Sequence, residues 1–162
     1  MMGKRIEGVK LENYGPLRTL HCPQFSNLNL FIGDNGQGKT FLLKGLYATI
    51  RVMELHGRGD SNEKRNDLLA DRLRWTFQFD KLGDLVTKGT DTLKMDLLTS
   101  AGLISCSFSS SASVQINSVA GDGGPFEGDS IFVPAKKVLS VVKSGIPCLC
   151  AVLLSSSMAS CV

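Results

Sequence analysis

Residues 33–40, Gly-Asp-Asn-Gly-Gln-Gly-Lys-Thr, constrain the fold of this chain more than any other feature. They satisfy the pattern G-x-x-x-x-G-K-[ST]. A loop whose backbone N–H groups all face one anion needs backbone angles that glycine adopts at little cost. A helix that begins directly after the loop turns its positive dipole end toward the same anion. The motif therefore predicts a phosphate-binding loop in a strand–loop–helix unit.

The flanking sequence fits such a unit. The apolar run 28–32 predicts a buried strand, and apolar residues at helical spacing from Phe41 to Leu55 predict a helix that ends near Gly57. A glycine-rich turn with an incidental lysine and threonine leaves these flanks unexplained. In the phosphate-binding interpretation Lys39 contributes charge and the Thr40 hydroxyl is a ligand for Mg²⁺. The predicted phosphate-binding residues are Gly33, Asn35, Gly36, Gln37, Gly38, Lys39 and Thr40.

Further elements follow from hydrophobic periodicity. Residues 5–22 predict two strands joined by a turn at Gly15-Pro16. Residues 62–77 predict a helix that turns Leu68, Leu69, Leu73 and Trp75 inward. Alternating residues predict a β-hairpin with one polar face, formed by 104–109 and 114–117. A strand is predicted over 130–135 and the start of a helix over 136–144.

Composition is that of an ordinary soluble globular protein. Apolar residues make up 43% and charged residues 20% of the 162-residue chain, and the net charge of +3 is too small to indicate a dedicated nucleic-acid binder. The five cysteines have irregular spacing and predict no disulfide framework, and the isolated Cys148-x-Cys150 pair lacks the further ligands of a zinc site. The apolar run 148–154 is too short to cross a bilayer. We expect a cytoplasmic protein with reduced thiols.

The finer form of the loop resembles a known family. Asn35 and Gly36 within the loop, together with the Asn13-Tyr14 step upstream, resemble the start of ABC-type ATPases of the SMC/RecF group. Segments 77–86 and 131–140 resemble a bacterial subset of these AAA-type proteins, from anti-phage defence systems and overcoming-lysogenization-defect-like nucleases. The resemblance implies an α/β P-loop NTPase lobe with an N-terminal strand meander and a β-hairpin-containing subdomain.

The resemblance also implies ligands and partners. Its members bind ATP with Mg²⁺, form homodimers through their ATPase heads, and act with a nuclease or on DNA. By order along the chain, Gln78 corresponds to the glutamine that helps to hold Mg²⁺ and the attacking water. An exposed strand position between two phenylalanines is the alternative for Gln78. Tyr14 is expected near the adenine, or else packed beneath the sheet.

The motifs that hydrolyse ATP in this family have no counterpart here. No apolar run ends in Asp-Glu, and the glycines of 121–125 lack the serine and helix of a signature motif. His21 and His56 both precede the position where such heads carry a histidine. We therefore predict no catalytic residue and no hydrolysis by the isolated chain. The expected organisation is an incomplete head lobe over 1–143, followed by an atypical uncharged tail over 144–162 that reflects truncation or a changed reading frame.

Two other functions are compatible with the sequence. A small P-loop kinase would need an arginine-rich lid, for which Arg58, Arg65, Arg72 and Arg74 are candidates, although a solvated helix face explains these arginines more simply. A nucleotide-binding interaction module without catalysis would fit the missing motifs. Measured ATP turnover would separate the enzymes from the module.

Overall fold

The fold was obtained as a computed structural model that describes residues 5–58, 64–116, 118–120 and 130–132. The described part contains five strands and two helices. The strands are β1 (Ile6–Tyr14), β2 (Leu17–Cys22), β3 (Thr92–Thr99), β4 (Gly102–Ser109) and β5 (Ser118–Ala120). The helices are α1 (Lys39–Arg58) and α2 (Arg65–Phe77), and a single 3-10 turn spans Leu82–Leu85.

The strands form one antiparallel sheet in the order β2-β1-β3-β4-β5. Leu11 of β1 lies opposite Leu20 of β2 on one side and Met95 of β3 on the other. Met95 in turn lies opposite Cys106 of β4. Because neighbouring strands keep this register, the alternate apolar side chains of β1, β3 and β4 collect on one face.

That apolar face and the two helices share one hydrophobic core. Its sheet members are Val9, Leu11, Leu93, Met95, Leu97, Ile104, Cys106 and Phe108. Its helix members include Leu42, Leu46, Val52, Leu69 and Leu73. The apolar face of α1 and the apolar faces of the alternating strands are thus buried in the same core.

Three sequence predictions are confirmed in outline. The strand–turn–strand of residues 5–22 forms as β1 and β2, the helix after the loop forms as α1, and the second predicted helix forms as α2. Leu69 and Leu73 point inward as predicted, but Trp75 is 81% exposed. The inward prediction for Trp75 was wrong because α2 buries only one narrow face, against α1 and the 3-10 turn.

The predicted hairpin is wrong in its pairing. β4 pairs with β3 through a tight turn at Ser100-Ala101, and its other neighbour is β5 at 118–120. Residues 114–116 form no strand. The first strand of the hairpin is β3, and its pairing with both β1 and β4 accompanies the burial of Leu93, Met95 and Leu97.

The predicted buried strand before the loop is also wrong. Residues 28–32 belong to no strand of the described sheet. Leu28, Leu30 and Ile32 are 67%, 62% and 84% exposed, whereas Phe31 turns inward and packs edge-to-face on Phe25. The side chains of 28–32 alternate between exposed and inward positions as in a strand. Within the described residues, however, no neighbouring strand forms backbone hydrogen bonds with this segment.

The segment 130–132 is anchored on α1. Glu54, which is buried, accepts hydrogen bonds from the Ser130 backbone N–H at 2.8 Å and from its hydroxyl at 2.6 Å. Arg51 pairs with the other Glu54 oxygen at 2.8 Å. Phe132 packs on Tyr47 of the same helix. Ser130–Phe132 is not a strand, and the rest of the predicted strand 130–135, the predicted helix 136–144 and the tail lie outside the described residues.

Candidate phosphate-binding site

Residues 33–40 form a tight loop that leads directly into α1. The loop turns at residues 35–36, and Gly36 and Gly38 have φ angles of 86° and 89°. Such angles disfavour side chains with a Cβ, so both positions need glycine. α1 begins at Lys39, and the Leu42 N–H already donates to the Gly38 carbonyl at 2.9 Å. The glycine pattern of the sequence therefore has its expected conformational role.

Lys39 is held across the loop by backbone carbonyls. Its Nζ donates to the Gly33 carbonyl at 2.5 Å and to the Asp34 carbonyl at 2.6 Å. A lysine ammonium has three N–H donors and a full positive charge. Two donors fix the position of the side chain, and the remaining donor is available to an anion in front of the loop.

The turn between β1 and β2 forms a second wall against the loop. A Cβ on Gly38 would come within 2.9 Å of the Pro16 and Leu17 side chains, and one on Gly15 would meet the Phe41 ring at 2.6 Å. The two turns therefore approach each other at distances that only glycine permits. This close packing fixes the loop relative to the sheet.

A third wall comes from the residues that follow α2. Val86 forms an isolated bridge with Tyr14. The Gly15 N–H donates to the Leu85 carbonyl at 2.7 Å, and the Thr87 hydroxyl donates to the Gly15 carbonyl at 2.7 Å. The Thr87 N–H donates to the Asn13 carbonyl at 3.0 Å. These bonds tie 85–87 to the β1–β2 turn and hence to the loop.

The three walls enclose an open cavity of about 670 Å³. That volume lies within the usual range for small-molecule and cofactor sites, roughly 300–1,000 Å³. From the loop it is lined by Asn35, Gly36, Gly38, Lys39 and Thr40. Phe41 of α1 also lines it, and the other walls contribute Gly15, Pro16, Arg18, Asp84, Val86, Thr87 and Lys88.

The cavity brings most of the predicted phosphate-binding residues together. Gly33 and Gln37 belong to the loop without lining the cavity. The Gln37 amide instead donates to the Asp34 carboxylate at 3.5 Å, within the loop itself. Thr40 is exposed at the first turn of α1 and lines the cavity beside Lys39.

Tyr14 and Gln78 lie elsewhere. Tyr14 is 1% exposed and belongs to the core, as the packing alternative supposed, and burial raises the pKa of its hydroxyl well above the ordinary value. Gln78 is an exposed residue in the left-handed conformation that ends α2, with φ of 58°. It is neither the strand residue nor the cavity residue that the sequence suggested. The helical spacing of the apolar side chains ends at Phe77, and this marks the end of α2.

Arg18, Asp84 and Lys88 are lining residues that motif reasoning missed. Each is a charged residue outside the phosphate-binding motif. The Tyr14–Val86 bridge and the hydrogen bonds of 85–87 to Asn13 and Gly15 bring 84–88 to the loop. No ion pair between described residues includes Arg18 or Lys88. With Lys39, they give the cavity three cations against one carboxylate.

No group of three or more His, Cys, Asp or Glu side chains in the described ranges is arranged to hold a metal ion. None of the helices in the described part of the chain is both long enough and apolar enough to cross a membrane.

Comparison with known proteins found similarity to RecF. It is 30% identical over 96 residues to the DNA replication and repair protein RecF of Enterococcus faecalis, a match that covers 59% of this chain and 23% of that protein. Among solved structures, the recombination mediator protein RecF with ATP covers 77% of this chain and 29% of its own, with a TM-score of 0.49 and 15% identity. No protein-family model matches the chain.

The matched stretch spans less than a quarter of the length of the curated relative. The described architecture is a mixed α/β lobe, and over 96 residues its sequence is similar to that of RecF.

Proposed function

We propose that this chain binds ATP, with Mg²⁺, in the cavity in front of residues 33–40. The observation that carries the proposal is the geometry of Lys39, whose ammonium is fixed by two loop carbonyls beside the first turn of α1. A fixed cation and a helix N-terminus around one cavity suit a phosphate chain. The similarity to RecF, one of whose solved structures is described as a RecF–ATP complex, supports ATP as the nucleotide.

The residues present suit each part of the ligand. The loop N–H groups and Lys39 would hold the phosphates, and the Thr40 hydroxyl would be a ligand of Mg²⁺, whose preferred ligands are oxygen atoms. Arg18 and Lys88 add positive charge on the opposite walls. When bound, Mg²⁺ would neutralise part of the negative charge of the phosphates. The proposed role of Gln78 with Mg²⁺ and water draws no support from its position outside the cavity lining.

We propose further that the chain acts as the nucleotide-binding lobe of a RecF-like protein in DNA repair. Head-to-head homodimers, a nuclease partner and an anti-phage role remain predictions from the family resemblance. A lid-bearing kinase is less well supported, because none of Arg58, Arg65, Arg72 and Arg74 lines the cavity. Arg74 instead pairs with Asp71 on α2 at 3.7 Å. Among the described residues that line the cavity, Asp84 is the only one with a carboxylate.

Calorimetric titration with ATP and Mg²⁺ tests the proposal. Lys39→Ala should weaken ATP binding by at least tenfold, since a charge-assisted contact to phosphate is lost. Lys94→Ala is the matched control, because Lys94 is a surface lysine of β3 that contacts Glu12 and does not line the cavity. Equal ATP affinity in wild type and Lys39→Ala would overturn the proposal that ATP binds in front of residues 33–40. Turnover by the purified chain would overturn the prediction of binding without hydrolysis.

A further inference from the structure

The wall opposite the phosphate-binding loop carries a carboxylate that the loop motif does not explain. Asp84 lies in the 3-10 turn Leu82–Leu85 and lines the same cavity as Lys39 and Thr40. It is exposed, and no ion pair or side-chain hydrogen bond between described residues involves it. A ligand that enters this cavity therefore meets a carboxylate with all its acceptor capacity available.

The backbone around Asp84 is fixed on both sides. The Gly83 N–H donates to the Ala112 carbonyl at 2.8 Å, and a Cβ on Gly83 would collide with the Ser110 backbone. On the other side the Leu85 carbonyl accepts from the Gly15 N–H at 2.7 Å. Asp84 thus projects from a turn clamped between the β4 end and the β1–β2 turn. Preorganisation of this kind lowers the entropy cost of binding.

Charge decides which end of a nucleotide faces Asp84. Phosphates and an ionised carboxylate repel each other, and because Asp84 is exposed, water screens part of this repulsion. The phosphates belong with Lys39 and the start of α1, so on the 84–88 wall it is Asp84, and not Lys88, that faces the uncharged end of the nucleotide. A carboxylate accepts hydrogen bonds and donates none. It therefore needs donors, and ribose hydroxyls supply two adjacent donors at that end.

We propose that Asp84 binds the ribose hydroxyls and makes the cavity selective for ribonucleotides over deoxyribonucleotides. This inference rests on the proposed function, because it assumes that the loop holds the phosphates. Carboxylate recognition of a ribose hydroxyl is an established solution in nucleotide sites of a different fold. Here the same chemistry would come from a turn of the antiparallel part of the molecule.

The experiment compares ATP, 2′-deoxy-ATP, 3′-deoxy-ATP and inorganic tripolyphosphate by calorimetric titration of the whole chain. Wild type should bind ATP about tenfold more tightly than the weaker of the two deoxynucleotides. Asp84→Ala should bind ATP about tenfold more weakly than wild type and should remove the preference for ribose. Its affinity for tripolyphosphate should be equal or higher, because a repelling charge is gone. Asp80→Ala removes an exposed aspartate that does not line the cavity and should change none of these affinities.

Several outcomes would overturn the assignment. Equal loss of ATP and tripolyphosphate affinity in Asp84→Ala would show a general effect on the site. Equal weakening of ATP and both deoxynucleotides, with tripolyphosphate unchanged, would assign Asp84 to the base. The proposed function fails separately, if neither ATP nor tripolyphosphate binds wild type. If tripolyphosphate binds and Lys39→Ala abolishes its binding, the phosphate-binding role of the loop is supported independently of the role of Asp84.

Discussion

The hydroxyl of Tyr14 donates a hydrogen bond to the carbonyl of Phe41 at 3.3 Å, joining the end of β1 to the first turn of α1. The same hydroxyl lies directly against Gly45, where no Cβ would fit. A glycine inside a helix costs about 0.5–1 kcal/mol relative to alanine. The close approach of the Tyr14 hydroxyl explains why residue 45 is glycine despite this cost. Tyr14 thereby sets the distance between the sheet and the helix that begins at the phosphate-binding loop.

Tyr14→Phe should lower the free energy of unfolding by about 1 kcal/mol, since it leaves the aromatic packing intact and removes one buried hydrogen bond. Urea denaturation monitored by circular dichroism measures the change. Tyr47→Phe is the control, because the Tyr47 hydroxyl makes no hydrogen bond among those of the described residues. ATP affinity should change little in either variant. A large selective loss of ATP binding in Tyr14→Phe would instead favour a direct contact with the adenine.

Gly36→Ala and Gly38→Ala should differ in stability although both glycines have positive φ. Alanine at either position pays about 1–2 kcal/mol for the left-handed backbone. At Gly36 a Cβ would meet nothing within 4 Å, whereas at Gly38 it would lie 2.8–2.9 Å from Leu17 and Pro16. Gly38→Ala should therefore lose about 1–3 kcal/mol more, as overpacking does. Equal urea midpoints for the two variants would contradict the close packing of loop and turn.

Stability should fall as the pH rises above about 9. Burial raises the pKa of the Cys106 thiol from 9.0 to about 12, with a smaller contribution from Asp96. Between these values the unfolded chain releases the proton and the folded chain keeps it, so unfolding is favoured as pH increases. The expected slope is about 1.4 kcal/mol per pH unit for this group. Tyr14, whose pKa burial also raises, adds to the loss above pH 10.

Unfolding free energies measured from pH 7 to 11 check this dependence. Cys106→Ala should be less stable at pH 7, because it leaves a small cavity in the core, but its stability should decline less steeply above pH 9. Identical pH dependence in Cys106→Ala and wild type would rule out the buried thiol as the origin.

The exposed face of residues 28–32 should make the isolated chain self-associate. Three alternate apolar side chains are exposed, and no strand among the described residues pairs with this segment, so it offers a surface for association with a second copy. Leu30→Lys should raise the concentration at which light scattering first detects aggregates, while thermal stability stays within about 0.5 kcal/mol. Trp75→Lys removes a comparably exposed apolar side chain on α2 and is the control. Equal improvement by both substitutions would indicate general hydrophobicity as the cause.

The sequence by itself determined the local features of this protein. The glycines, lysine and threonine of 33–40 specify a loop conformation and its chemistry through backbone angles and side-chain charge, which depend on neighbouring residues alone. The periods of α1, α2, β1 and β2 likewise follow from the side chains within each element. For the same reason the 20-residue helix after the loop was predictable nearly to its ends.

Only the tertiary structure decided which distant residues meet. Asp84 and Lys88 reach the cavity because Val86 bridges to Tyr14, a contact between residues 72 positions apart that no local pattern encodes. The pairing of β3 with both β1 and β4, and the exposure of 28–32 and Trp75, were settled in the same way. Whether an apolar segment is buried depends on a partner surface elsewhere in the chain, and that information lies in the packing of the whole rather than in the segment.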